Sequence, residues 1–504
     1  MKNRHHSIVL IPMTMLAATT VCLVGCADEP ADETAANTNA ATAETVSDTS
    51  TTVPVADDAA ASSAPTAPSL SFTSSNAGLP VDKMWKCDPI FADFNGDGHM
   101  DMAAIPRLGT GVRAWAGDGT GNWTESSDGL KTEIRSCGGG IQFADVNGDD
   151  HLDLCVADHC QGVFVYLGNG AGAWTKVVDS MFAEELAPEG RVMLFQGAED
   201  LATGDVDGDG DVDLVVGASD HGGFTLWLGD GTGVNWERST SNGGLPANGW
   251  NPRSILHDMD GDGDLDLVSA TFQGPRMYTN DGEGFFSERS VGLPQPTVQG
   301  IYNGIKVGDM NNDGRPDIVA ANWFDGPEIY FQDANYRWRK ATQDVFPDMV
   351  GGATGVAIGD IDGDSYPEII CTGRLERSAG LIRGVFALRN NGDETFTFLK
   401  DSGLPNTGLM AMSGVEMADF TNDGVLDIVA CSGLAVETPL SPTNQPVIEA
   451  RLMAWTTSRS HDAQEASVRA LRPGDTKDQS ELTATDTDGR PLASVPATAP
   501  DEGR

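Results

Sequence analysis

The chain has 504 residues, 60 glycines, eight cysteines and a formal net charge of −44. That excess of acid argues against nucleic acid and anionic lipid as direct partners. The glycine content points to many tight turns between short strands.

Lys2 and Arg4 precede an apolar stretch from Ile8 to Leu23, which is short for a membrane span and has the layout of an export signal. It ends in Leu23-Val24-Gly25-Cys26, which resembles the lipobox of bacterial lipoproteins. The resemblance implies a signal peptide over 1–25, Cys26 as the lipidated first residue, and a place in the bacterial cell envelope. A cleaved signal with an incidental cysteine is the alternative, and Ala27-Asp28 leaves the choice of membrane open. Residues 26–69 are mostly Ala, Thr, Ser, Asp, Glu and Pro, with no Lys or Arg. Such a composition buries no core and reads as a disordered tether. As a flexible coil it spans on the order of 35 Å.

From Asp93 onward one nine-residue pattern recurs seven times, at intervals of 51 to 60 residues. Its first place is Asp93, Asp145, Asp205, Asp258, Asp309, Asp360 and Asp419. The third is Asn95, Asn147, Asp207, Asp260, Asn311, Asp362 and Thr421. The fifth is Asp97, Asp149, Asp209, Asp262, Asp313, Asp364 and Asp423, and the ninth Asp101, Asp153, Asp213, Asp266, Asp317, Glu368 and Asp427. Glycines such as Gly208 and Gly210 stand between them, where the backbone turns sharply. Carboxylates packed this densely repel one another unless a hard cation sits among them, and Ca²⁺ takes six to eight oxygens at about 2.3–2.6 Å. One copy could be a solvated acidic turn. Seven copies predict up to seven Ca²⁺ sites.

An apolar run follows each acidic loop, from Met102–Ile105 in the first to Ile428–Cys431 in the last. A second run comes next, as in Val163–Leu167 or Phe224–Leu228, and then a glycine-rich hairpin such as GDGTG at 117–121. An aromatic opens the last strand: Trp123, Trp174, Trp236, Phe285, Trp338 and Phe396. With the strand ahead of the loop, each unit holds four short antiparallel strands, and repeats of this size are propeller blades.

These residues resemble the FG-GAP/VCBS repeat family, known from the integrin α head, across roughly 70–458. The resemblance implies an all-β, seven-bladed propeller with calcium between the first and second strands of each blade. Side chains at places one, three, five and nine would bind it, together with the carbonyl at place seven: His99, His151, Asp211, Asp264, Arg315, Tyr366 and Val425. Place three departs at Thr421, and place six at Asp150 and Ser365. An EF-hand is excluded, because place twelve is never acidic and apolar strands follow.

The pattern stops three strands into the last unit, at Trp455. The Gly-Leu-Pro ending of several units also occurs at Gly78-Leu79-Pro80, ahead of the first. The strand over Leu70–Ser75 is therefore predicted to complete blade seven and close the ring. Residues 459–504 read as a polar tail.

Six cysteines remain beyond Cys22 and Cys26, an even number in an export context. Cys155, Cys371 and Cys431 fall in strand patterns and read as buried thiols. A disulfide is open among Cys87, Cys137 and Cys160.

Strand order puts the acidic loops and glycine hairpins on one face. The opposite face gathers Trp85, Arg107, His159, His221, Trp250, Arg253, Arg276, Tyr302 and Trp323 as candidate ligand-binding residues. Indoles beside planar polar groups suit an extracellular glycan or a protein side chain. Catalysis has thinner support: Asp-His pairs occur at His159 and His221, with no nucleophile motif. A polysaccharide-active enzyme and an architectural envelope protein stay open beside the binding module, as does the oligomeric state.

Overall fold

The computed structural model describes residues 68–81, 84–108, 111–132, 136–159, 161–181, 197–218, 223–271, 273–294, 302–342, 352–377, 380–405, 412–432 and 451–460. The leader, Cys26, nearly all of the tether, His221, Cys160 and the tail after Ser460 lie outside the described residues. Among the described residues no helix is long and apolar enough to cross a membrane.

Seven four-stranded antiparallel sheets form the blades of an all-β propeller. Blade one is Ile90–Ala92, Asp101–Ala104, Arg113–Gly117 and Trp123–Glu125. Blade two is Ile141–Ala144, Asp153–Asp158, Gly162–Gly168 and Trp174–Met181. Blade three is Ala198–Gly204, Asp213–Ala218, Phe224–Gly229 and Trp236–Arg238. Blade four is Arg253–His257, Asp266–Thr271, Gly274–Asn280 and Phe286–Glu288. Blade five is Tyr302–Gly308, Asp317–Asn322, Gly326–Gln332 and Trp338–Lys340. Blade six is Ala353–Gly359, Glu368–Arg377, Gly380–Asn390 and Phe396–Phe398.

Blade seven takes Met412–Ala418, Asp427–Ser432 and Leu452–Ser460 from the end of the propeller, and Ser69–Ser74 from its beginning. The borrowed strand runs antiparallel to its neighbour, with Leu70 opposite Arg459 and Ser74 opposite Trp455. Closure thus falls on the strand predicted for it, and neither end of the ring is left as an open edge.

Second strands are covered by neighbouring blades on both sides, which is why they read as unbroken apolar runs; Met102 to Ile105 are all fully buried. Where a Gly-Leu ending is present, it clips one blade to the next. Trp123 N–H donates to Ala77 O at 3.0 Å, Trp174 N–H to Asp128 O at 2.9 Å, and Phe72 N–H to Ser402 O at 2.8 Å. Glycine is required there: Gly78 has φ of 86°, and a Cβ on it would lie 1.8 Å from the Trp123 carbonyl oxygen.

One register differs from expectation. Blade four opens its last strand with Phe286, not Phe285. Asp281 N–H donates to Phe285 O at 3.2 Å, as Asp118 N–H does to Asn122 O in blade one, so Phe285 still belongs to the hairpin. Phe285 is 48% exposed and Phe286 2%.

Candidate functional site

Each acidic loop is folded by its own carboxylates. In blade three, Asp205 accepts from the amides of Gly208 at 2.7 Å and Gly210 at 2.9 Å, and Asp209 from that of Asp211 at 2.9 Å. Gly208 and Gly210 take φ of 76° and 93°. Asp150 (φ 65°) and Ser365 (φ 77°) are held in the same left-handed region at place six although they carry a Cβ.

The ninth place works as a bracket. Asp213 is fully buried and accepts from Val206 N–H and Gly229 N–H, both at 2.9 Å, tying the loop to the far end of the third strand. Asp101, Asp153, Asp266 and Asp317 repeat this, and Asp427 accepts from Thr457 and Thr421. Burial, opposed by those amides, lifts the carboxyls of Asp101, Asp153, Asp213, Asp266 and Asp427 to about 6. Asp317 reaches about 7 and Glu368 about 8 for the same first reason.

The third place divides the seven loops. In blades three, four and six it is a carboxylate, and three acids converge. Oxygens of Asp205, Asp207 and Asp213 lie within 4.8 Å of one another, as do those of Asp258, Asp260 and Asp262, and of Asp360, Asp362 and Glu368. Burial first, and then the neighbouring acids, raise the carboxyls of Asp207, Asp260 and Asp362. Asp207 Oδ1, Asp260 Oδ1 and Glu368 Oε1 are buried without a hydrogen-bond partner. Orphaned carboxylate oxygens are costly, and an oxygen-only donor set of this kind fits a hard divalent cation.

In the other four loops the third side chain brings a donor, which relieves the repulsion internally. Asn95 Nδ2 donates to Asp101 at 3.3 Å, Asn147 Nδ2 to Asp149 at 3.1 Å, and Thr421 Oγ1 to Asp427 at 2.8 Å. In blade five Arg315, two residues along from Asp313, pairs with it beside Asn311. At place seven the rings of His99 and His151 lie over the hairpin glycines Gly119 and Gly170, whose added Cβ atoms would each be 2.4 Å from Nδ1.

The other end of the ring axis is charged in a different way. Five places ahead of the acidic loops, in the first strands or just before them, stand Asp88, Gly140, Asp200, Arg253, Gly304, Gly355 and Gly414. The glycines mark close approach: a Cβ on Gly140 would lie 1.7 Å from Asp200 Oδ1. The three charged residues, with Lys306 and Glu416 two places further along, line a cavity of about 320 Å³. Arg253 Nε is 3.3 Å from Asp88 Oδ2, Lys306 Nζ is 3.9 Å from the same oxygen, and Lys306 also pairs with Glu416. Ser254 N–H donates to Asp200 Oδ2 at 2.6 Å. Burial outweighs Arg253 and that amide, lifting the Asp200 carboxyl to about 7. Next to it, buried Glu199 pairs with Lys86 and with His159 Nδ1 at 2.8 Å. Burial would raise this carboxyl, but Lys86 and His159 prevail and hold it at about 2.

The eight described ligand-face candidates therefore separate. Arg253 lines the cavity, and His159 and half-buried Arg107 flank Glu199. Trp250 and Trp323 are half-buried. Trp85 and Tyr302 do not present their rings to this face. Trp85 is fully buried, edge-on to Trp115 with ring centroids 5.6 Å apart, and Tyr302 is 1% exposed and donates its hydroxyl to Glu328 at 2.9 Å. Arg276 is turned onto its own blade, donating to Pro275 O at 2.7 Å with Nε 3.6 Å from Glu288. Cys87 is a free buried thiol, as are Cys155, Cys371 and Cys431, whereas Cys137 is disulfide-bonded.

Seven blades, acidic loops between first and second strands, and a closing strand from the other terminus define a repeat propeller of one kind. The chain belongs to the FG-GAP-like repeat family, which matches residues 93–156, 145–216, 258–320, 309–371 and 378–430. Human cartilage acidic protein 1 is 28% identical over 183 residues, covering 35% of this chain and 27% of that protein. Its Xenopus tropicalis counterpart is 25% identical over 180 residues, covering 35% and 28%. The chain thus matches little more than a quarter of the length of these relatives. Among solved structures, an Agrocybe aegerita lectin in specific recognition of non-reducing terminal N-acetylglucosamine is 15% identical, with a TM-score of 0.43 over 68% of this chain and 94% of that one. BBS1N in complex with ARL6DN is 12% identical, with a TM-score of 0.44 over 77% and 96%. Likenesses this distant carry no ligand to this chain.

Proposed function

We propose that the chain is a calcium-stabilised recognition propeller that holds a glycan end group or a protein side chain at the channel mouth opposite its acidic loops. The observation that carries the reading is the charged cavity on the axis. Buried ion pairs are a poor source of stability compared with apolar filling, so Asp88, Asp200, Arg253, Lys306 and Glu416 in one place favour a binding role. At about 320 Å³ the cavity stands at the small end of ligand sites. It suits one terminal sugar or one side chain, and its donors and acceptors suit hydroxyl groups.

Calcium belongs to the same proposal. The acid clusters of blades three, four and six would hold it most firmly, and in its place it neutralises their repulsion and pins the turn. Lipidation at Cys26 and a bacterial envelope location rest on Lys2, Arg4 and Leu23–Cys26 alone. Metabolic labelling with a fatty acid, compared with Cys26→Ser, tests that part.

A second reading is a polysaccharide-active enzyme, favoured by one observation: a buried carboxyl near 7, Asp200, in a cavity with basic neighbours. One experiment separates the two. The full chain in calcium is applied to a glycan array, and bound glycans are analysed for new reducing ends or unsaturated products. Retention without products, lost in Arg253→Gln, supports recognition; products lost in Asp200→Asn support the enzyme. Absence of both retention and products with a correctly folded protein overturns the enzyme reading and the glycan form of the recognition reading.

A further inference from the structure

The outer edge of blade seven is closed by the strand Ser69–Ser74, but its inner edge meets the segment that leads into blade one. Cys87 of that segment and Cys431 of the second strand of blade seven share one buried apolar cluster with Trp85, Val429 and Leu452. Both are free thiols, 1% and 0% exposed. The Cys87 carbonyl oxygen abuts Gly414, where an added Cβ would lie 1.9 Å from it. Gly414 stands in the first strand of blade seven between Met412, paired with Ser432, and Val415, paired with Ala430. Cys431 is the residue between those two partners, so the backbone brings the two cysteines together. The Cys87 thiol accepts from Ile105 N–H at 3.3 Å and donates to Ile105 O at 3.8 Å, and burial, with Cys87 beside it, raises the Cys431 thiol.

We propose that Cys87 and Cys431 are a cross-linking pair, and that in an oxidising compartment their disulfide locks the first blade to the last. The required oxidant is another disulfide, protein-borne or glutathione disulfide. One cysteine thiolate attacks it, forming a mixed disulfide and expelling a thiolate. The second cysteine, after losing its proton, attacks the mixed disulfide and expels the other thiolate. Two thiols lose two protons and two electrons, and the oxidant is reduced to two thiols. The burial of both thiols places this exchange before the seam packs. The loop closed is long, from residue 87 to 431, and cross-links over long loops constrain the unfolded chain most. The cross-link would also join regions that strand pairing reaches only at the outer rim.

The test uses the full chain, refolded in calcium with glutathione disulfide and then denatured, alkylated and peptide-mapped. The expected result is a Cys87–Cys431 peptide pair about 2 Da lighter than the two thiol peptides, with Cys155 and Cys371 alkylated. The oxidised protein should melt several degrees above a sample refolded without oxidant, and this gain should be missing in Cys431→Ser. Alkylation of both Cys87 and Cys431 after oxidation, or a link from either to a different cysteine, overturns the proposal. The mapping is decided on the wild-type chain, so it stands even where Cys431→Ser folds poorly.

Discussion

The two ends of the ring handle charge in opposite ways. Around the acidic loops of blades three, four and six, like charges are brought within 4.8 Å of one another, and buried oxygens of Asp207, Asp260 and Glu368 find no donor. At the channel mouth Asp88 lies between Arg253 and Lys306, Glu416 pairs with Lys306, and Glu199 pairs with Lys86 and His159. Arg289 and Arg389 offset part of this charge at Asp260 and Asp362, and on the proposed reading a cation from outside completes the first end. The second is completed by the chain itself, so a ligand can enter only by exchanging one set of polar contacts for another. On the proposed reading, stability and recognition would draw on different parts of the same strands.

Removing the cation is the largest perturbation expected. At a hundredfold excess over Kd each site contributes about 2.7 kcal/mol, so three sites give roughly 8 kcal/mol, or on the order of 10 °C for a propeller of this size. Calorimetry in calcium and then in EGTA measures it, and a melting temperature indifferent to EGTA would break the contrast. Lys306→Met comes next. It strands half-buried Glu416 without its cation, a change costing about 2–3 kcal/mol after allowance for partial exposure, and the loss should be the same in calcium and in EGTA. A calcium-dependent loss would mean that the two ends are coupled. Asp207→Ala with Asp209→Ala is comparable in size and opposite in character. It should lower stability by about 2–3 kcal/mol in calcium and leave the chelated protein close to wild type, since it removes repulsion together with ligands. Equal losses in both conditions would assign these residues to packing.

How legible each end was follows from how local its chemistry is. The acidic loops could be read because place one bonds the amides of places four and six, and place nine bonds place two, all within nine residues. The closing strand could be read because the Gly-Leu ending of blades one, three, four and six also stands at Gly78-Leu79, ahead of the first acidic loop. Phe285 was misplaced because two adjacent phenylalanines leave the hairpin length ambiguous, and only the Asp281–Phe285 bond resolves it. At the channel mouth the aromatic content of the loops misled: Trp85 and Tyr302 are core residues. The usable signal lay in two columns of the repeat. Five places ahead of the loop, three charges stand among four glycines, and three places ahead Lys306 and Glu416 interrupt apolar residues such as Ile90 and Ile255. What makes those charges meet is the ring, through pairs such as Lys306 with Glu416, separated by 110 residues, and no local pattern reports such a distance.

The smallest effect tests the self-balance of the mouth most directly. Asp200 has an ordinary value of 3.8 in the unfolded chain and about 7 in the fold, raised first by burial. A carboxyl raised in this way favours the folded state while protonated, so its contribution is complete below about pH 4 and is lost as pH rises through 7. In saturating calcium, which keeps the loop carboxylates ionised, the wild type should lose about 1–2 kcal/mol between pH 5 and pH 8 through this group, less than the full shift because Arg253 moves to meet the charge. Asp200→Asn keeps an oxygen for the Ser254 amide and removes the titration. The advantage of the variant over the wild type should therefore be larger at pH 8 than at pH 5, with the difference read from paired urea titrations. Parallel curves at both values would mean that Asp200 stays ionised throughout, fully compensated by Arg253, and the mouth would then be an ion-pair network with no proton to exchange.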